Sequence, residues 1–170
     1  ENESGADFVL YNGCITGNTA VDENGGGVRN DHATFSMLGG SITNNVATKK
    51  DYYSGHGGGV YNESNSTFKM AGSAEINNNT AEDGGGVYNY YHVDMYGHSA
   101  IRDNVAGTGG GVWNGGSSKT ARFTMHDEST INGNIATTAA GGGVFTCDGY
   151  FGIEEKASIT GNHASQSVGG

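Results

Sequence analysis

The chain contains no proline and only two cysteines, Cys14 and Cys147, among its 170 residues. The lack of proline excludes a proline-rich linker and a collagen-like chain, even though 32 residues are glycine. Two cysteines do not form the framework of a disulfide-rich domain. The repeat described below places them several coils apart, beyond the Cα separation of about 7 Å that a disulfide can bridge. We therefore predict two free thiols.

Basic residues and long apolar runs are also scarce. Only 8 Lys and Arg stand against 18 Asp and Glu, which gives a net charge of −10. Such a surface repels phosphate backbones and anionic lipids, so we expect no nucleic-acid partner. No apolar run approaches the ~20 residues that cross a bilayer, so we expect no membrane insertion by this segment.

A repeat of about 29 residues runs along the whole chain. Each copy contains an apolar pair (F-x-M or similar), then an I-x-x-N-x-A unit, then a GGGV segment. The pairs are Phe8/Leu10, Phe35/Met37, Phe68/Met70, Val93/Met95, Phe123/Met125 and Phe151/Ile153. The I-x-x-N-x-A units begin at Ile15, Ile42, Ile76, Ile101, Ile131 and Ile159, and the GGGV valines are Val28, Val60, Val87, Val112 and Val144.

The pattern within each copy predicts an all-β fold. Apolar and polar residues alternate with the period of a half-buried strand, and Gly, Asn, Asp or Ser stand at every joint. Three short strands recurring in the same order describe one coil of a single-stranded parallel β-helix, and parallel crossovers are overwhelmingly right-handed. We therefore predict a right-handed parallel β-helix, a solenoid of five to six coils with three strands each. A single coil buries too little apolar surface to fold alone, so the coils must stack.

The domain prediction is one β-helix over residues 1–170, as a fragment of a longer repeat-containing protein. Gly169 and Gly170 begin a sixth copy of the GGGV segment. We expect a monomer that is attached to further domains.

Two asparagine series and a glycine series accompany the strands. Asparagine tolerates left-handed corners, and its amide can bond the coils above and below, so both asparagine series predict structural ladders. The glycines permit positive φ and close approach of neighbouring coils. The first asparagine series is Asn18, Asn45, Asn79, Asn104, Asn134 and Asn162, and the second is Asn30, Asn62, Asn89 and Asn114.

The residues that follow the GGGV valines form a candidate ligand-binding stripe. If each valine points inward, strand alternation points its follower outward. Exposed contiguous aromatics often mark binding surfaces, and flat rings suit the faces of sugars. The alternative is cross-strand stacking that stabilises the sheet. This aromatic stripe consists of Arg29, Tyr61, Tyr88, Trp113 and Phe145.

Three successive coils also bring imidazoles and carboxylates to one corner, just after the F-x-M strand. Such groups at ~5 Å intervals could bind a divalent cation such as Ca²⁺ or act as acid and base. The alternative is a solvated polar corner with partly paired charges. This acidic corner consists of His98, His126, Asp127, Glu128, Glu154 and Glu155.

The pairing of ITGN-type and GGGV-type motifs resembles the repeats of chlamydial polymorphic outer membrane proteins, which combine GGA[ILV] with FxxN. It is also similar to the β-helical repeats of bacterial adhesin-like surface proteins, in which F-x-M-x-G, I-x-x-N-x-A and GGGVYN recur together. This chain has Ile where the chlamydial pattern has Phe, and a third glycine in place of Ala. The resemblance implies an extracellular, bacterial cell-surface location and a non-catalytic role in binding a glycan or a host surface protein.

Two other functions are consistent with the sequence. Right-handed β-helices often host polysaccharide lyases or hydrolases, but that is an argument from fold alone. The basic residues that a lyase would need beside its acids are scattered along the chain. The other alternative is a passive stalk or spacer.

Overall fold

The computed structural model describes residues 1–50, 54–116 and 120–165, and it confirms the parallel β-solenoid. The described residues form strands without a helix, and every strand pairs in parallel with its copy in the neighbouring coil. The start of the sixth GGGV copy, at residues 169 and 170, lies outside the described residues.

The strands form four sheets, each named here by its repeated residues. The F-x-M sheet contains β1 (Asp7–Leu10), β5 (Thr34–Met37), β9 (Thr67–Met70), β13 (His92–Met95), β17 (Arg122–Met125) and β21 (Tyr150–Ile153). The isoleucine sheet contains β2 (Cys14–Thr16), β6 (Ser41–Thr43), β10 (Glu75–Asn77), β14 (Ala100–Arg102), β18 (Thr130–Asn132) and β22 (Ser158–Thr160). The alanine sheet contains β3 (Thr19–Ala20), β7 (Val46–Ala47), β11 (Thr80–Asp83), β15 (Val105–Thr108), β19 (Ile135–Ala136) and β23 (His163–Ala164). The valine sheet contains β4 (Val28–Asn30), β8 (Val60–Asn62), β12 (Val87–Asn89), β16 (Val112–Gly115) and β20 (Val144–Cys147).

The prediction of three strands per coil was wrong, because the I-x-x-N-x-A unit contributes two strands. A residue with positive φ stands immediately before each asparagine of the first series, and it turns the chain there. It is always Gly, Asn or Asp, the residues that adopt this conformation most readily. The left-handed corner therefore belongs to the preceding residue and not to the ladder asparagine itself. These corner residues are Gly17, Asn44, Asn78, Asp103, Gly133 and Gly161.

The core is a column of identical or similar side chains stacked coil on coil. Phe35, Phe68 and Phe123 are fully buried, together with the methionines and isoleucines of the same coils. Phe35 stacks on Phe8 and on Phe68 with ring centroids 4.9 Å apart in both pairs. Burial of such a side chain stabilises the fold by about 2 kcal/mol, and each ring shares that burial with the coils above and below.

Both asparagine ladders are present. In the first, each Nδ2 donates to Oδ1 of the next asparagine at 2.9 to 3.0 Å, from Asn18 through to Asn162. In the second, the same donation runs from Asn30 to Asn114 at 2.8 to 2.9 Å. Asn2, which lies outside the repeat pattern, adds a further member to the second ladder by donating to Asn30 at 2.8 Å. The ladders fix the register of the coils from inside.

The glycine triplets allow the coils to approach each other at the start of the valine sheet. The first glycine of each triplet has a positive φ, as at Gly84 with 63°. At the second, a Cβ would clash with backbone of the next coil: at Gly85 it would lie 2.5 Å from the carbonyl oxygen of Gly110. The triplets are therefore structural, as predicted.

Candidate functional site

The aromatic stripe lies on the outer side of the valine sheet, as the alternation predicted. Val60, Val87 and Val112 are fully buried in the core. Their followers pair in register from coil to coil, Tyr61 with Tyr88 and Tyr88 with Trp113. Phe145 continues the row beside Trp113.

Exposure of the whole stripe was expected, and this was wrong for Tyr61 and Tyr88. Their exposed fractions are 5% and 4%. Tyr90 covers both rings, with centroid distances of 6.0 Å and 5.0 Å and edge-on geometry. His56, which comes from the insertion before the second GGGV segment, stacks on Tyr88 at 4.7 Å.

The covered tyrosines stack along the solenoid. The centroids of Tyr61 and Tyr88 lie 5.3 Å apart, and those of Tyr88 and Trp113 lie 4.1 Å apart with planes only 1° from parallel. Burial raises the pKa of Tyr61, and burial together with the bond from Tyr88 to the hydroxyl of Tyr90 raises the pKa of Tyr88. Both phenols therefore stay neutral at physiological pH, and this part of the stripe acts as packing.

Arg29 occupies the first position of the stripe and is held by acids. Its guanidinium lies 3.5 Å from Glu1, 3.4 Å from Asp31 and 3.7 Å from Glu63. It is in register with Tyr61 on the neighbouring coil. These carboxylates neutralise its charge, so Arg29 ends the row as an ion-paired side chain.

The more exposed aromatic side chains lie toward the C-terminal coils of the solenoid, on the valine sheet and at its corner with the F-x-M sheet. Trp113 and Phe145 are half-buried, with centroids 6.4 Å apart. Tyr90 packs edge-on against Trp113 at 5.8 Å. Tyr91 follows directly and is half-buried at the point where the chain enters the F-x-M sheet. We call Tyr90, Tyr91, Trp113 and Phe145 the aromatic corner.

Tyr90 and Tyr91 were missed because they do not belong to the repeat. They stand between the valine sheet and the F-x-M sheet, in the segment Asn89-Tyr90-Tyr91-His92. The signal available in the sequence was this unique run of aromatics directly after a ladder asparagine. The Tyr90 ring covers the stripe from outside, and the Tyr91 ring stacks on His92 beside it.

The acidic corner consists of separate pairs. His98 Nδ1 lies 3.4 Å from Glu128, and His126 Nδ1 lies 3.1 Å from Glu154. Lys156 also contacts Glu128, at 3.2 Å. The structure thus brings the histidines to the glutamates of the following coil.

Two further carboxylates of this corner hold the turns. Asp127 accepts the backbone N–H of Gly97 at 2.7 Å, and Glu155 accepts that of Asp127 at 2.5 Å. Within residues 1–50, 54–116 and 120–165, no three His, Cys, Asp or Glu side chains form a group that could hold a metal ion. A Ca²⁺ site at this corner stays a prediction.

The remaining sequence predictions concern the cysteines and the membrane. Cys14 and Cys147 are free and exposed, which confirms the two thiols. Among the described residues no helix is long and apolar enough to cross a membrane.

Comparisons of this chain with protein-family models, with curated proteins and with solved structures found no match.

Proposed function

We propose that this chain is a non-catalytic β-solenoid segment of a bacterial cell-surface or secreted adhesin-like protein, and that it binds glycan through the aromatic corner. The observation that carries the proposal is a group of half-buried aromatic side chains at one corner, in which Trp113 contacts both Tyr90 and Phe145 and the next residue, Tyr91, is also half-buried. The similarity of the repeats to those of adhesin-like proteins supports the location. The glycan is carried by a host surface or host glycoprotein.

The chemistry of these rings suits a sugar. Tyrosine and tryptophan offer a flat apolar face together with a polar edge, and both are enriched where one side of a ring is dry and the other is wet. The apolar C–H face of a sugar packs on such rings, while its hydroxyls remain in water. Contacts of this kind contribute about 1 kcal/mol each, so one module binds weakly.

The scaffold favours binding in spite of this weakness. Trp113 is held by face-to-face stacking on Tyr88 and by the edge of Tyr90, so little rotational freedom is lost when a ligand arrives. Many copies on one cell surface would then act together through avidity. A rigid solenoid that carries one weak site and is displayed in many copies matches an adhesin.

Replacement of Trp113 by alanine is expected to abolish glycan binding and to lower the free energy of unfolding by about 2 kcal/mol, because the ring is half-buried on Tyr88. A glycan array measures the binding, and urea unfolding measures the stability. Tyr11→Ala is the matched control, since Tyr11 is an exposed tyrosine (66%) far from the corner in the chain. It should leave binding unchanged.

The same samples separate the alternative functions. Release of reducing ends from a polysaccharide by the wild-type chain would show an enzyme. Failure of the wild-type chain to bind any glycan on the array would show a spacer and overturn the proposal.

A further inference from the structure

We infer that the glycan carries carboxylate groups, and that Arg122, stacked on Tyr150 beside the aromatic corner, binds them. This inference rests on the proposed function and names the class of saccharide. Arg122 opens β17 and Tyr150 opens β21, and the two residues are in register on the outer side of the F-x-M sheet. Phe123 and Phe151, which follow them, face the core.

Arg122 differs from the other arginines in its surroundings. Arg29 and Arg102 are each ion-paired to two or more carboxylates, and Arg102 lies 2.8 Å from both Glu75 and Asp103. Among the described residues no carboxylate forms an ion pair with Arg122, although the chain carries 18 acids. Arg122 is exposed. No carboxylate in the described part of the chain therefore competes with a ligand for the N–H donors of this guanidinium.

Tyr150 provides a platform beneath this guanidinium. The Arg122 Cζ atom lies 4.6 Å from the centre of the Tyr150 ring. The ring in turn lies over Gly152, and its hydroxyl stands 2.7 Å from the position that a Cβ at residue 152 would occupy. Glycine at 152 thus leaves room for the tyrosine to lie along its own strand. Stacking on a ring orients the guanidinium fork while leaving its edges free for a carboxylate.

The platform adjoins the aromatic corner. His92 is in register with Arg122 on the preceding coil, so the two backbones lie about 4.8 Å apart. The His92 ring stacks on Tyr91 at 4.1 Å. A sugar packed on Tyr91 and His92 would therefore place a substituent within reach of Arg122.

Charge favours a carboxylated sugar over a flexible polyanion. The net charge of −10 repels anions that make no specific contact. A planar carboxylate can accept two parallel N–H bonds from arginine, and this contact offsets the general repulsion. Asp94, two residues after His92 and also on the outer side of the sheet, can accept bonds from sugar hydroxyls and repels a second carboxylate there. The site therefore selects both the charge of the sugar and the orientation in which the sugar binds.

The test compares ligands that differ only in charge. Isothermal titration measures the binding of polygalacturonate and of its fully methyl-esterified form to the wild-type chain and to Arg122→Gln. We expect the acid form to bind the wild type, and the ester and the Gln variant to bind about 10- to 100-fold more weakly, the effect of losing a charged hydrogen-bonded contact. Arg122→Lys keeps the charge without the fork and should give an intermediate loss. Arg102→Gln, on the isoleucine sheet, is the control and should bind like the wild type.

Each other outcome is decisive. Equal binding of acid and ester, with loss in Trp113→Ala, would overturn the carboxylate inference and leave glycan binding intact. Equal binding of polyglutamate, which has no sugar rings, would overturn it as a non-specific polyanion effect. Unchanged binding in Arg122→Gln, with circular dichroism like that of the wild type, would remove Arg122 from the site. Binding of neither polysaccharide would also overturn the inference, while the array would still test glycan binding by itself.

Discussion

Replacement of Asn79 by alanine is expected to lower the free energy of unfolding by about 4 kcal/mol. The Asn79 Nδ2 donates to the carbonyl oxygen of Ile42 and to Asn104 Oδ1, both at 3.0 Å. Its Oδ1 accepts the backbone N–H and the side-chain amide of Asn45, at 2.9 and 3.0 Å. Alanine removes all four bonds and leaves the buried backbone N–H of Asn45 without its acceptor. Urea unfolding monitored by circular dichroism measures the loss.

The neighbouring residue provides the control for this experiment. Asn78 is exposed and has a φ of 54°, so it turns the corner while Asn79 forms the ladder. Asn78→Gly keeps the left-handed conformation and should change stability by less than about 1 kcal/mol. A loss as large as that of Asn79→Ala would show that the ladder is not what holds the coils in register.

Replacement of Gly85 by alanine is expected to cost more than about 3 kcal/mol, because the added methyl group meets backbone that cannot rotate away. Its Cβ would lie 2.5 Å from the carbonyl oxygen of Gly110 and 2.6 Å from that of Val105. Both atoms belong to the next coil, so the two coils must separate and lose core contact. Thermal unfolding should show a much lower midpoint, or a chain that no longer folds as one unit.

A glycine with open surroundings separates crowding from backbone strain. Gly17 has a φ of 68° and nothing within 4 Å of its Cβ position. The equivalent corners of later coils carry Asn44 and Asn78, so Gly17→Asn should be tolerated with little loss. If Gly85→Ala were tolerated equally well, the close approach of the coils at the glycine triplets would be wrong.

The repeat predicted the fold because each copy occupies the same place in its coil. The order of F-x-M, I-x-x-N-x-A and GGGV gave the register, and it placed the asparagines and the core correctly. The repeat did not reveal that the I-x-x-N-x-A unit divides into two strands. That division depends on one positive-φ residue, which changes between Gly, Asn and Asp from coil to coil.

The candidate site was less predictable because it depends on residues that do not repeat. Alternation placed Tyr61 and Tyr88 on the outer side of the valine sheet. It predicts the direction in which a side chain points, but not whether other residues cover that side chain. Tyr90 and His56 cover these rings. Neither residue recurs in the repeat, since Tyr90 lies at a corner and His56 in an insertion. Arg122 and Tyr150 directly precede the F-x-M pairs of successive coils, so the repeat placed them side by side, but it did not show that the guanidinium would lie over the ring.

The acidic corner was likewise only partly predictable from the sequence. Stacking in register correctly brought His126 near Glu154 and His98 near Glu128. The sequence did not show that the Asp127 and Glu155 carboxylates would accept backbone N–H groups in the turns. A carboxylate that caps a turn has fewer lone pairs for a metal ion.

The most direct test of glycan binding at the aromatic corner uses the fluorescence of Trp113, the single tryptophan of the chain. Titration with polygalacturonate should change its emission in a saturable way, with the same midpoint as calorimetry, because the ring lies in the proposed site. The Tyr11→Ala variant should give the same curve. Calorimetric binding without any change in Trp113 emission would place the ligand elsewhere and contradict the account.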